Sequence, residues 1–178
     1  IPNKQFGLVK IEVEQALKSI RDTGGSHILS TLENMEIVID LVNCPMGCFL
    51  PYPAVTNCVP NNSVDCYIFW DGKNCCYTGP DGQRWPSFVT LGHELGHAIQ
   101  IAELKMSGKK KPMDWYNAYA KKPQVREAIE MDNIYRHEMP MLKILGLKPR
   151  TRYNPPGGGV TTIPNEDQAR SDYAAEFE

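Results

Sequence analysis

The most informative segment of the chain is Leu91-Gly92-His93-Glu94-Leu95-Gly96-His97-Ala98, which contains the pattern H-E-x-x-H. On an α-helix, four residues advance about 400°, so His93 and His97 lie on one face, about 6 Å apart along the axis. Both imidazoles can then bind one cation. Glu94 lies about 100° around the axis from His93, so it can contact the metal's water rather than join the ligands. The motif predicts a zinc site with Glu94 as the general base.

A helix around this motif is predicted independently of it. Trp85-Pro86-Ser87 is typical of a helix start, and Gly108 is typical of the position after a helix end. Most residues that surround the two histidines are apolar, which favours a dry and rigid support for a metal. The alternative is an ordinary helix that happens to have two histidines four residues apart.

A catalytic zinc needs a third protein ligand and leaves a fourth position for water. The long form H-E-x-x-H-x-x-G-x-x-H is excluded, because Gln100 and Glu103 stand where it requires glycine and histidine. The remaining route is a carboxylate from a later helix, predicted to run from Pro123 to about Met139, before Pro140 interrupts it. Its candidates are Glu127, Glu130, Asp132 and Glu138.

Helical periodicity favours Asp132 among these carboxylates. Asp132 shares a predicted inward face with Val125 and Ile129, whereas Glu127 and Glu130 fall on the wetter side. A buried carboxylate needs a partner, which zinc would supply. The alternative is an i,i+4 pair with Arg136, which leaves Glu130 open as the third ligand. Asn133 and His137 are candidates for contacts to the metal-binding histidines.

The other elements predict an α+β fold, in which a small mixed sheet packs on the active-site helix and a second helix carries the third ligand. Further helices are predicted over about 8–23 and 113–122, and strands over 37–42 and 64–70. We expect an extended substrate to pair with the second of these strands. Residues 1–154 are predicted to form a single zincin-like catalytic domain, and 155–178, rich in proline and glycine, an extended C-terminal tail.

The cysteines all fall in the segment from 44 to 76, which is also rich in turn-forming residues. They are Cys44, Cys48, Cys58, Cys66, Cys75 and Cys76. An even count with irregular spacing favours a disulfide-rich segment and therefore a secreted or extracellular protein. A second, structural zinc site and free buried thiols are the alternatives.

Composition excludes two classes of partner. The formal net charge is −2, so no global basic field attracts nucleic acid, and the run Lys109-Lys110-Lys111 is interpreted as a solvated loop. No apolar segment reaches the length of a membrane span. We expect a monomer that acts on a protein or peptide substrate.

The chain resembles the NleD-type zinc metallopeptidases of secreted bacterial effectors and toxin domains, over about residues 87 to 153. Three segments carry the resemblance: 91–98, Asp132-Asn133-Ile134-Tyr135-Arg136, and 146–153. The resemblance implies protein as the substrate and Asp132 as a metal ligand. The third segment ends in Tyr153, whose hydroxyl is a candidate donor to the oxyanion of the reaction, the alternative being a tyrosine that only packs on the core.

The sequence therefore predicts a zinc-dependent endopeptidase that hydrolyses peptide bonds with metal-activated water. Glu94 would take a proton from the water and return it to the leaving amine. The alternatives are a catalytically silent zincin-fold binding module and a non-peptide zinc amidase.

Overall fold

A computed structural model describes residues 12–43, 54–57, 64–72, 78–108, 111–153 and 161–177. Its helices are α1 (12–20), α2 (Ser26–Glu33), α3 (Ser87–Ser107), α4 (Pro112–Lys121), α5 (Pro123–Asn133), α6 (Met139–Ile144) and α7 (Glu166–Phe177). Its strands are β1 (Ile39–Asn43), β2 (Ala54–Asn57), β3 (Cys66–Trp70), β4 (Arg152–Tyr153) and β5 (Thr161–Thr162). This combination of helices with small sheets is α+β at the coarse level.

The larger sheet has the order β1-β3-β2 and is mixed, as expected. Strand β1 is parallel to β3, and β2 is antiparallel to it. Alternate β3 residues, Cys66, Ile68 and Trp70, are buried in the main core, and Trp70 Nε1 donates to the Ser87 carbonyl at 3.0 Å. Because β3 is paired on both sides, it has no free edge in the described sheet. The expectation that a substrate peptide pairs with this strand is therefore wrong.

The helix predicted between Pro86 and Gly108 is present as α3. It begins after Pro86 and ends at Gly108, whose φ of 65° is the left-handed conformation that glycine adopts readily. From Val89 to Ala102 every side chain is buried. The sheet, α2, α4 and α5 all pack against this helix, so it is enclosed on several sides.

Two glycines of α3 permit close helix packing. A Cβ built on Gly96 would overlap the Asn133 side chain, and one on Gly92 would overlap Met141. Because glycine has no Cβ, α5 and α6 can approach the backbone of α3 at these two positions. The glycine at position 96, inside the H-E-x-x-H motif, therefore brings α5 close to the two histidines.

The predicted helix that starts at Pro123 continues beyond its expected end. After α5, residues Ile134–Glu138 form a wider π-helical turn, and the chain then enters α6 directly. Pro140 lies in the first turn of α6, where its missing N–H and fixed φ are tolerated. Pro140 therefore does not end the helical path, which continues to Ile144.

The prediction of an extended C-terminal tail is wrong for residues 166–177, which form α7. This helix packs along α5. Ala169, Tyr173 and Phe177 are buried at i, i+4 and i+8, so one stripe of α7 faces the protein. The other positions are mostly polar, which obscures this stripe in the sequence.

The remaining predictions are tested only in part. Helix α1 covers 12–20 of the predicted 8–23, and the path kinks at Thr23 and Gly24, where Gly24 has a φ of 86°. Cys66 is fully buried in β3, and the other five cysteines lie outside the described residues, so their pairing stays a prediction. Among the described helices, none combines the length and apolar character that a membrane crossing requires.

Candidate metal centre

Three buried side chains converge between α3 and α5. The Nε2 atom of His93 lies 3.2 Å from Glu130 Oε2, and Nε2 of His97 lies 3.5 Å from Glu130 Oε1. One ligand atom from each of the three residues lies within 4.8 Å of the other two. The structure thus brings both predicted histidines together with Glu130, and this group could hold a metal ion.

The donor set and its spacing fit a divalent metal such as zinc. Zinc binds imidazole nitrogen and carboxylate oxygen at about 2.0–2.2 Å in a tetrahedral arrangement, so neighbouring ligand atoms are about 3.3–3.6 Å apart. The Glu130 carboxylate meets each imidazole at about this separation, His93 through Oε2 and His97 through Oε1. Two histidines and one glutamate also leave one position of a tetrahedron for water.

The second ring nitrogen of His93 faces an ion pair. Its Nδ1 lies 3.1 Å from Glu138 Oε2, and Arg150 Nε donates to Glu138 Oε1 at 2.9 Å. Burial by itself would raise the pKa of Glu138, but the charge of Arg150 and the contact with His93 lower it. The ionised Glu138 therefore attracts an Nδ1 that keeps its proton, which leaves Nε2 of His93 for a metal.

The second ring nitrogen of His97 faces an amide instead. Its Nδ1 lies 2.9 Å from Gln100 Oε1, and Gln100 Nε2 donates to Asp132 Oδ2 at 2.8 Å. Since an amide oxygen only accepts, Nδ1 of His97 carries the proton and Nε2 is left for a metal. Both histidines therefore present the same ring atom to Glu130.

Asp132 does not join this group in the described residues. Besides the bond from Gln100, Asp132 Oδ2 is 3.3 Å from Arg136 Nη1, and Arg136 also pairs with Glu103. The i,i+4 pair that competed with the ligand assignment is thus present. Burial raises the pKa of Asp132, and the contacts with Gln100 and Arg136 oppose that change. Asp132 acts on the centre through Gln100, whereas Glu130 reaches both histidines directly.

The sequence favours Asp132 beside the two histidines, whereas the structure has Glu130 there. This difference has a geometric cause. Residues from Ala128 to Asn133 are all buried, so α5 has no wet face at this level. Helices α3, α4 and α7 surround it. Sorting the residues of α5 into one inward and one outward face therefore cannot show which of Glu130 and Asp132 points to the histidines.

The π-helical turn explains how Glu130 and Glu138 both reach His93. Two ordinary α-helical turns take about 7.2 residues, so residues eight apart would be rotated by about 80°. Hydrogen bonds from i to i+5 make one turn longer by about one residue. One ordinary and one wide turn therefore span about eight residues, which returns Glu138 to the face of Glu130.

Asn133 joins α5 to the metal-binding helix. Its Nδ2 donates to the His93 carbonyl at 2.9 Å and lies 3.2 Å from His97 Nε2. The prediction of Asn133 as a contact to these histidines is confirmed. His137, the other candidate, packs beside Gly96 and contacts His27 rather than either motif imidazole.

Helix α4 contributes two aromatic residues that sequence reasoning missed. Trp115 and Tyr119 stack on each other and pack against the His97 ring, with centroid distances of 5.4 and 5.9 Å. The Tyr119 hydroxyl donates to Glu130 Oε1 at 2.5 Å. Burial and the charge of Glu130 raise the pKa of Tyr119, so it stays a neutral donor. The residue type of Tyr119 alone does not indicate that its hydroxyl binds Glu130.

Tyr153 lies in strand β4, buried against Met131 and Ile134. Burial raises its pKa, and the charge of Glu130 adds to the effect, while a hydrogen bond with Tyr119 opposes it. The hydroxyl therefore lies near Glu130 and Tyr119, and its role as a donor to the oxyanion stays a prediction.

Glu94 is buried on α3 with 6% of its surface exposed. It is not one of the three residues that converge on a common point among the described residues. Its charge raises the pKa of Tyr119, so its carboxylate faces the same region. This placement is compatible with a residue that contacts the centre without binding the metal.

Without a metal, the three converging groups hold opposite charges. Burial would lower the pKa of His93, but hydrogen bonds to Glu130 and Glu138 raise it to about 10. Burial would raise the pKa of Glu130, yet the charge of His97 and bonds from both histidines hold it well below its ordinary value. A proton on His93 therefore occupies the position that a metal would take.

Comparison of the chain with protein-family models, with curated proteins and with solved structures finds no match, so the geometry of the site carries the functional argument.

Proposed function

We propose that this chain is a zinc-dependent endopeptidase with a zincin-like catalytic domain, in which His93, His97 and Glu130 hold the metal. The observation that carries the proposal is the common orientation of the two imidazoles. Each Nδ1 faces an oxygen of a fixed partner, and each Nε2 faces Glu130. Such partners fix the ring orientation of histidines that bind metals.

The reaction would use residues of α3, α4 and β4 around the metal. When bound, zinc supplies Lewis acidity and lowers the pKa of a coordinated water. Glu94 takes a proton from the attacking water and returns it to the leaving amine. Tyr119 donates its hydroxyl proton to Glu130 and so fixes this ligand, and Tyr153, a second neutral hydroxyl near Glu130, is the candidate donor to developing negative charge. The extended substrate is a protein or peptide.

The first experiment tests the ligand set. We expect Glu130→Ala to lose zinc and Asp132→Ala to retain it, because only Glu130 contacts both histidines. Metal content after zinc loading and dialysis measures this, with circular dichroism as the control for folding. Zinc retained in Glu130→Ala and lost in Asp132→Ala would reverse the assignment.

The second experiment tests Glu94. We expect Glu94→Gln to bind zinc as the parent protein does and to cleave an unfolded protein, such as denatured casein, at least about 100-fold more slowly, since a general base contributes about 10²–10⁴. Cleavage at the parent rate would refute the role of Glu94.

One observation favours a second function, a metal-holding binding module without turnover. His93, Glu94, His97 and Glu130 are each at most 6% exposed, which leaves a substrate carbonyl little access to a metal held there. Such a module would hold zinc but cut no protein in either the parent or the Glu94→Gln form. The two measurements together therefore separate the endopeptidase from the module.

A further inference from the structure

A second cavity, separate from the metal-binding residues, lies between α2, α6 and α7. Its volume is about 900 Å³, which is within the usual range of small-molecule sites. None of His93, His97 or Glu130 lines it. Its occupant would therefore be independent of the metal.

The wall of this cavity is amphipathic. Met139, Pro140 and Leu147 supply apolar surface. Three cations line the cavity, Arg136, Lys143 and Arg170, against one carboxylate, Glu166. Arg136 is paired with Glu103 and Arg170 with Glu166. Within the part of the chain that the structure describes, Lys143 has no ion-pair partner. Lys143 therefore carries the positive charge of the wall that no carboxylate neutralises.

The wall also contains two stacked histidine rings, His27 and His137, whose centroids are 5.4 Å apart. His27 Nε2 lies 3.0 Å from the Arg136 carbonyl and 3.2 Å from His137 Nδ1, and His27 Nδ1 lies 3.1 Å from the Gly24 carbonyl. These contacts hold the two rings as a fixed part of the wall.

His137 is only 3% exposed and its Nε2 is buried, so this residue shapes the wall without offering a polar atom to an occupant. Lys143 is exposed and lines the cavity, so its charge favours an occupant with a negatively charged oxygen.

We propose that this cavity binds a carboxylate that carries an apolar group. The carboxylate neutralises Lys143, and the apolar group contacts Met139, Pro140 and Leu147. Both a medium-chain fatty acid and the C-terminal residue of a peptide have this chemistry.

The test is calorimetric titration of the metal-free full chain, so that no carboxylate binds through zinc. The probes are octanoate, N-acetylphenylalanine and N-acetylphenylalanine amide. We expect both carboxylates to bind and the uncharged amide to bind at least about fivefold more weakly, because it lacks attraction to Lys143. Tighter octanoate indicates a fatty acid, and tighter N-acetylphenylalanine indicates a peptide C-terminus.

Two variants locate the binding. Lys143→Met should weaken carboxylate binding about fivefold, and Thr31→Trp should abolish it by filling the cavity from α2. Lys148→Met, an exposed lysine outside the cavity wall, is the matched control and should change nothing. Absence of binding, equal binding of the amide, or unchanged affinity in Lys143→Met would overturn the proposal.

Discussion

At His93, metal binding and protonation compete for the same ring. In the metal-free protein the neighbouring Glu130 and Glu138 raise the pKa of this imidazole to about 10, from 6.5. The protonated ring therefore predominates below about pH 10, and its contribution to stability is lost as the pH rises through that value. Zinc can bind Nε2 only after this proton leaves.

We therefore predict that zinc binding at pH 7.5 releases at least one proton from His93. Calorimetry in buffers with different heats of ionisation measures the number released, and affinity should rise with pH up to about pH 10. The control is Glu130→Ala, in which the binding itself should be lost. Zinc binding without any proton release would contradict the described state of His93.

Single residues differ in how far the sequence could reveal their roles. His93, Glu94 and His97 belong to one local motif, so helical geometry alone predicts how they are arranged. The third candidate ligand lies on a separate helix, where Glu130 and Asp132 are only two positions apart. Choosing between them required the packing of α4 and α7 around α5, which no local pattern contains.

At the scale of elements, the approach of α5 and α6 to α3 depends on Gly92 and Gly96. The two glycines face different neighbours. A Cβ at Gly96 would meet the Asn133 side chain, which is held by its bond to the His93 carbonyl, and the buried His137 ring. A Cβ at Gly92 would meet the end of Met141, a flexible side chain that can move aside.

We predict that Gly96→Ala lowers the free energy of unfolding by about 1–3 kcal/mol, because the overlap outweighs the higher helix propensity of alanine. Gly92→Ala, its matched control in the same helix, should change it by less than about 1 kcal/mol. Urea denaturation of both variants measures the difference. Equal stability of the two would show that Asn133 can move as readily as Met141.

The π-helical turn at Ile134–Glu138 marks a second limit of sequence patterns. A regular α-helical period places Glu138 about 80° around the axis from Glu130, so the sequence does not indicate that the two carboxylates belong to one site. The wider turn brings them to the same imidazole. Its presence depends on tertiary packing, and Pro140 in the sequence indicated only that the helix changes nearby.

At the scale of the whole molecule, α7 joins the two groups of buried residues. Tyr173 and Phe177 belong to the main core, and Ala169 to a smaller cluster with Met131 and Tyr153. We predict that Phe177→Ala lowers the free energy of unfolding by about 3 kcal/mol, as expected for a buried aromatic residue. Urea denaturation measures this, with the exposed Asp172→Ala as a control that should change it by less than about 0.5 kcal/mol. An effect no larger than that of the control would mean that α7 does not stabilise the fold.

The α+β class, helix α3 and the strands β1 and β3 were accessible from periodicity and from residues that begin and end helices. Helix α7 was not, because its buried stripe consists of only Ala169, Tyr173 and Phe177 among polar residues. Both failures have the same kind of cause. The packing of α7 on α5, and the burial of α5 on more than one side, depend on segments distant in sequence, which no local period contains.

The enclosure of the centre has a kinetic consequence. With Trp115 and Tyr119 packed on His97 and every converging residue nearly inaccessible, a chelator in solution could not touch an ion held there in the closed state. Removal must wait for a transient opening of the protein. At high chelator concentration, the rate of zinc loss should therefore level off at the opening rate, and the same motion would set the upper limit on how fast a substrate enters.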